Sequence, residues 1–520
     1  MTATTNSTIL DYRKKILLLI VITTALRLFF ASSLELGADE TYYWSFALKL
    51  QGNYFDHPPI VAFLIRLTTF NLLFHNELAV RVGAIISSAV CTWIIFKLGT
   101  LVNNQQTGWF AALLYNASIY CSIVAGMYIL PDSPQLIFWL TSLLIFIKIS
   151  RLTNDHPKST FLWCMFGITT GLCIMSKVHG VFLWFGVLLY LLFFNRNSLK
   201  YRGIYLSALI TLIIISPIII WNFQNDFISY RFHSGRVSPT ASGLDLLGFL
   251  KAFSQEAQNV NPINFVLIII SLFSVFRGKL PVDKKDLKIL LFCSLPLILT
   301  ILILSLFRET FPHWSGPAYS CLLILPAIKL STVSKNKTRY VPGVIIWALG
   351  YMVMVACLQI VVIDHFPGTV STQKEGPKTG TNDVTLDMYE WKETGEKFDS
   401  LYKSDVAKKI MPDHAPIIVT NWSPASTIEF YIANKTKQEV IGIGDVFDLH
   451  QYYWSDKYKK QLKKGDDAYY IVPSDSFSYR TFNEVNQRFK GYTTALVIPQ
   501  YRSGFFCRSI AVYRMIGYTK

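Results

Sequence analysis

The sequence predicts a polytopic α-helical membrane protein of about eleven to thirteen transmembrane helices, followed by a C-terminal soluble α/β domain. Three observations carry this. Of the 520 residues 52% are hydrophobic and only 16% charged, with a mean hydropathy of +0.36, which is too apolar for an ordinary soluble protein. Apolar runs near the roughly 20 residues needed for one crossing recur as far as residue 363. Beyond them the stretch DHFPGTVSTQKEGPKTGTND has a linker's composition, and short strand-like and helix-like patterns follow it. The expected domains are residues 1–365 and 366–520.

The membrane segments fall near 15–34, 78–98, 107–128, 133–150, 160–176, 180–194, 203–221, 262–276, 288–307, 316–330 and 342–363. A net charge of +16 raises nucleic acid as a partner, but the basic residues lie between apolar runs rather than along one aromatic-studded face, so nucleic acid is set aside. The positive-inside rule accounts for them. With the N-terminus cytoplasmic, Arg13-Lys14-Lys15, Lys148/Arg151/Lys158, Arg196/Lys200/Arg202, Arg277/Lys279/Lys284/Lys285/Lys288 and Lys329/Lys335/Lys337/Arg339 all fall inside. Acidic and His-rich loops and the C-terminal domain then fall outside. The first apolar run is longer than a signal-peptide h-region, which argues against cleavage near Ala31. Seven of the eight cysteines lie in predicted membrane segments and only Cys507 in the tail, so neither a disulfide framework nor zinc spacing is present.

In the tail, APIIVTN, QEVIGIG, DAYYIVP, TALVIPQ and RSIAVYRM read as strands, and SPASTIEFYIANK and TFNEVNQRFKG as helices. Gly442-Ile443-Gly444 reads as a turn, being too short for a nucleotide-binding loop.

Charge at membrane depth costs roughly 2.5–3.5 kcal/mol per group, so clustered polar residues ask for a role. The first outward loop holds Glu35, Asp39, Glu40, Asp56 and His57; YILPDSPQ holds Asp132; MSKVHG holds Lys177 and His179; SYRFHSGR holds Arg231, His233 and Arg236; RETFPHWSG holds Arg308, Glu309 and His313. Outward acids beside outward bases suit a transfer in which a carboxylate activates an acceptor hydroxyl while cations hold a departing phosphate. Solvated loop charges with snorkelling basic side chains are the plainer alternative. Asp39 is placed to cap the helix begun by Glu40-Thr41-Tyr42, whose aromatics, Tyr43 among them, suit a membrane interface. Pro58-Pro59 stiffens the turn presenting Asp56 and His57.

ADETYYW, YFDHPPIVAFLI, AVRVGA, LPDSPQLIFW, GLCIMSKVHGVFL and PHWSGPAY, in that order over residues 10–365, resemble blocks of the GT-C integral-membrane glycosyltransferases. The resemblance is to family 39, which includes protein O-mannosyltransferases and the lipid A aminoarabinose transferase. It implies transfer of one sugar, with inversion, from a polyprenyl-phosphate donor to a lipid, glycan or protein acceptor on the outer face of a bacterial inner membrane. By position it implies that Asp39 activates the acceptor with Glu40 as its partner, that Asp132 lines the cavity as a second acid, and that Lys177, Arg231, His57 and His233 lie near the donor phosphate. Asp56, Tyr43 and His313 would line the acceptor side. The aminoarabinose branch has a lysine where His57 stands, which implies a weaker or pH-dependent phosphate contact here. The tail lacks the β-trefoil-like repeats of eukaryotic protein O-mannosyltransferases. No residue spacing calls for a metal, and a divalent ion stays open. A transporter or lipid-linked-sugar flippase is the competing reading, although no inverted repeat supports it; a ligase taking a long glycan chain is a third.

Overall fold

The computed structural model describes residues 2–153, 156–238, 243–334, 340–457 and 461–520; Lys335, Lys337 and Arg339 of the predicted inward-facing runs lie outside them. The chain divides into two compact units, one of residues 1–31, 51–53 and 57–356, the other of 32–50, 54–56 and 357–520.

The first unit is helical. Among the described residues eight helices are long and apolar enough to cross a membrane: Asp11–Ser33, Glu77–Val102, Asp132–Ser150, Ser159–Ser176, Arg202–Gln224, Lys284–Leu304, Gly316–Val333 and Tyr340–His365, the last of which runs on into the second unit. Leu246–Val260 and Pro262–Phe276, bent by 102° where they meet, are a ninth only if the pair is one span rather than a re-entrant loop. The chain is therefore an integral membrane protein. The predicted segments that fall short of a full crossing are interrupted by identifiable residues. At the bend Pro262 cannot extend the preceding helix, and Asn261 takes φ 85°. Its amide Nδ2 donates to the carbonyls of Ala117 and Ala348, both at 2.8 Å, so the opened backbone is tied to neighbouring helices. Segment 107–128 is the helix Gln105–Ala117 followed by a π-helical turn, Tyr120–Val124, and segment 180–194 is a short helix, Val181–Phe194.

Two buried arginines of this unit are hydrogen-bonded within it, as low dielectric favours. Arg27 donates to Asn116 Oδ1 at 2.9 Å and to Ser122 Oγ at 3.0 Å, and Arg81 to the Ala31 carbonyl at 2.7 Å.

The second unit is an α/β layer. Its strands are β1 (Ile417–Val419), β2 (Val440–Gly442), β3 (Ala468–Pro473), β4 (Phe489–Arg502) and β5 (Phe505–Tyr518), in the spatial order β2-β1-β3-β5-β4. β1 lies parallel to β2 and β3, while β5 runs antiparallel to β3 and β4. Every predicted strand is present, and the fold class is as expected. The predicted helix TFNEVNQRFKG is shorter than its pattern: helix Tyr479–Asn486 ends it and Phe489 opens β4. Phe489 packs under the sheet with Phe482 and Val485, and that burial overrides helical continuation. Helix Ala38–Leu48, from the first predicted outward loop, belongs to this unit.

Candidate functional site

In the first unit the site grows from two interrupted helices. Helix Asp132–Ser150 starts at Asp132 behind Pro131, and helix Ser159–Ser176 stops where Lys177 turns to extended backbone, φ −155° and ψ 134°. Lys177 Nζ donates to Asp132 Oδ2 at 2.8 Å, with side chains 4% and 2% exposed. Tyr120, on the π-helical turn, donates its hydroxyl to the other oxygen, Oδ1, at 3.0 Å. Such turns recur at functional sites because they re-aim one side chain. Gly316 makes room for that phenol: a Cβ there would stand 2.3 Å from the Tyr120 ring. An ammonium has three donors. Among the described residues Lys177 uses one of them, to Asp132.

Histidines and one guanidinium surround this pair. The field of Lys177 reaches His57, His179 and His313. Burial, reinforced by that charge, holds His57 well below its ordinary range and brings His313 down to about 4. Both are thus neutral at neutral pH, able to donate one N–H and accept at the other nitrogen. His57 and His233 rings lie 6.3 Å apart. Arg236 spreads over Phe311 at 5.5 Å and Trp314 at 5.7 Å, and Trp314 lies 5.9 Å from His179. His179 Nδ1 and Gln135 Oε1 are buried without a hydrogen-bond partner among the described residues. Lys177 is buried, the histidines and Arg236 are half-buried, and the ammonium has donors left over among the described residues, chemistry that fits a phosphate.

Of the predicted donor-side residues, Lys177, His57 and His233 fall in this group, together with Asp132, predicted as a second acid of the cavity, and His313, predicted on the acceptor side. Arg231 is exposed on helix Ile228–Val237, whereas Arg236 joins the aromatics. Positions 233 and 236 share a helix face and 231 does not; that spacing was the available signal. Tyr120, Gln135 and Trp314 carried no sequence signal, since aromatics and amides in apolar helices are usually packing.

In the second unit, Asp39 sits inside the first turn of helix Ala38–Leu48 and does not cap it. The N-cap is Gly37, whose N–H donates to Glu40 Oε2 at 3.1 Å; the buried Glu40 reaches back over the helix start and leaves Asp39 exposed. The loop is tied down on either side. Glu35 accepts from the backbone N–H groups of Trp391 at 2.7 Å and Lys392 at 3.1 Å, at the start of helix Trp391–Ala407. Leu36 N–H donates to Tyr431 Oη at 2.7 Å, and Thr41 Oγ1 to Ser426 Oγ at 2.9 Å. Tyr43 is buried against Tyr42 and Phe46. Asp56 accepts from Tyr42 Oη at 3.2 Å and lies 3.9 Å from His450 Nδ1. Asp387 is pushed up to about 7, chiefly by burial, with Asp475 and Asp39 adding to the effect against Arg508.

A cavity of about 780 Å³ in this unit has Asp413, Glu439 and Asp466 among its lining residues. It lies at the amino ends of the parallel strands, opposite the end at which ligands enter α/β sheets. No group of three or more His, Cys, Asp or Glu side chains among the described residues is placed to hold a metal ion.

Residues 56–221 match the family model described as dolichyl-phosphate-mannose-protein mannosyltransferase. The chain is 22% identical over 291 residues to a lipid A galacturonosyltransferase of Rhizobium johnstonii, covering 55% of this chain and 59% of that one. It is 25% identical over 135 residues to an undecaprenyl phosphate-α-4-amino-4-deoxy-L-arabinose arabinosyl transferase of Proteus mirabilis, 26% of this chain and 24% of that one. The chain thus spans less than two thirds of the curated relatives it matches. The crystal structure of ArnT from Cupriavidus metallidurans bound to undecaprenyl phosphate superposes with a TM-score of 0.65 at 12% identity, over 95% of this chain and 97% of that one. Over nearly its whole length, therefore, the chain has the fold of the GT-C integral-membrane glycosyltransferases its sequence motifs resemble.

Proposed function

We propose that the protein moves a single sugar from a polyprenyl-phosphate donor to an acceptor hydroxyl on the outer face of a bacterial inner membrane, with inversion. The observation that carries the reading is the Lys177 ammonium, buried beside Asp132 with two donors unused among the described residues. Lys177, with neutral His57 and with His233, holds the donor phosphate. Asp132, braced by Tyr120, fixes the lysine. Arg236 rather than Arg231 supplies the second cation. Asp39 accepts the acceptor's proton, and Glu40 fixes the helix turn that presents it.

In the step, the acceptor oxygen bonds to the anomeric carbon as the bond from that carbon to the phosphate oxygen breaks. The electron pair goes to the phosphate and the hydroxyl proton to Asp39. Because phosphate is already a good leaving group, the site's work is positioning and charge stabilisation. The positive-inside rule supports an N-terminus in the cytoplasm and a C-terminal domain outside, since the basic runs then all face inward. Lipid A is the acceptor class we favour, because a lipid A galacturonosyltransferase is among the relatives; no nucleotide is required by the step.

The test is transfer in proteoliposomes holding lipid A and an undecaprenyl-phosphate monosaccharide, read by mass spectrometry of the lipids. Asp39→Asn should slow transfer by about 10²–10⁴-fold in protein that still melts normally. Wild-type turnover by that variant would remove Asp39 from the step. Absence of any sugar-modified lipid across galacturonosyl, aminoarabinosyl and hexosyl donors would overturn the reading.

A further inference from the structure

The turn joining β4 to β5 is an apolar tip where a solvent-facing hairpin would carry charge. Tyr501, Phe505 and Phe506 are 53%, 62% and 37% exposed. Tyr501 and Phe506 pair across the strands, with their rings 5.8 Å apart edge to face. Between residues 496 and 506 the only charged side chain is Arg502, and it is fully buried.

Where this tip sits is fixed by its hydrogen bonds. Arg502 donates to the carbonyls of Ile363 at 3.0 Å and Gly368 at 2.9 Å, Ser503 Oγ donates to the His365 carbonyl at 2.7 Å, and Gly368 N–H returns to the Arg502 carbonyl at 3.1 Å. Ile363 and His365 are the end of the helix Tyr340–His365. At 1.5 Å per residue this helix is about 39 Å long, against about 30 Å of hydrocarbon. Its end therefore lies in the headgroup layer, where exposed aromatic rings concentrate in membrane proteins.

We propose that the β4–β5 tip is a second membrane contact, with Tyr501, Phe505 and Phe506 seated at the boundary between headgroups and acyl chains of the bilayer that the helix Tyr340–His365 crosses. The occupant of this surface is lipid: the patch is continuous with a membrane-spanning helix end and bears no exposed charge to direct a protein partner. The contact gives the C-terminal unit an attachment to the bilayer in addition to its chain connections to membrane-spanning helices.

The proposal is independent of the catalytic reading. Its test uses the full chain in nanodiscs, in a Cys164→Ser, Cys357→Ser background; the other six cysteines are buried. A bimane label is placed at Phe505→Cys or Phe506→Cys and, for comparison, at Tyr479→Cys, a position 62% exposed on helix Tyr479–Asn486 of the same unit. Lipids brominated near the top of the acyl chain should quench the two tip labels at least threefold more than the label at 479, in variants that melt within a degree of their background. Quenching at 505 and 506 no greater than at 479 would overturn the proposal, whether the tip labels are then in water or covered by protein.

Discussion

Among the described residues each unit buries one ion pair in which both side chains are almost wholly shielded, and the two pairs are built to opposite ends. In the second unit Arg502 and Asp383 are both 0% exposed. Arg502 also donates to two carbonyls and to Thr385 Oγ1 at 2.8 Å. Asp383 accepts from Thr369 Oγ1, Val370 N–H and Thr385. Burial pushes Asp383 up, but these bonds outweigh it and hold the carboxyl below its ordinary range. In the first unit Asp132 and Lys177 are as deeply buried, yet the ammonium has one partner among the described residues. A saturated pair is a fastening, because nothing is left over to bind. An unsaturated one keeps donors in a low-dielectric site, at a cost that an incoming anion offsets.

The comparison breaks most cleanly at Lys177. Removing the whole first pair, Asp132→Asn with Lys177→Met, should lower donor kcat/KM by about 10²–10³-fold and leave melting nearly unchanged. A comparable fall in acceptor kcat/KM at saturating donor would count against a phosphate role. Arg502→Met should do the reverse. Breaking a buried pair costs roughly 3–5 kcal/mol, so chemical denaturation of the C-terminal unit should shift to lower denaturant, and an unchanged midpoint would show the fastening to be idle.

Smaller effects sharpen the contrast. Gly316→Ala pushes a methyl toward the Tyr120 ring and should slow transfer about tenfold by misplacing Asp132; a fully active variant would mean that Tyr120 does not brace the site. Asp387→Asn addresses pH. Its folded value of about 7 lies above the ordinary 3.8, so between these values the folded state keeps a proton that the unfolded state has released. Stability from this group is therefore present at low pH and lost as pH rises through 7. Thermal melts at pH 5 and pH 8 should differ less in Asp387→Asn than in wild type; equal differences would mean that the carboxyl titrates normally.

Much of this was legible in advance for simple reasons. Lys177 and Asp132 stood out because charge at the edge of apolar runs is costly and rarely idle. The strands showed because their apolar runs end at Gly, Pro and Asp. Arg231 was assigned by position from the family resemblance, whereas the helical phase shared with His233 favours Arg236. Tyr120 and Trp314 were silent among the protein's many aromatics. Asp39 looked like a cap because Asp favours that position, but Glu40 reaching back to Gly37 moved the helix start by two residues.

By itself the sequence determined that the chain lives in a membrane and which polar residues stand at helix breaks, since hydropathy and helix-stopping residues act locally. Only the tertiary structure decided that the loop bearing Asp39 packs with the C-terminal unit, that Arg502 meets Asp383 across more than a hundred residues, and that Lys177 is left with donors unused among the described residues. Those outcomes depend on how many partners each buried polar group finds, and partners distant along the chain are chosen by packing, which no local pattern encodes.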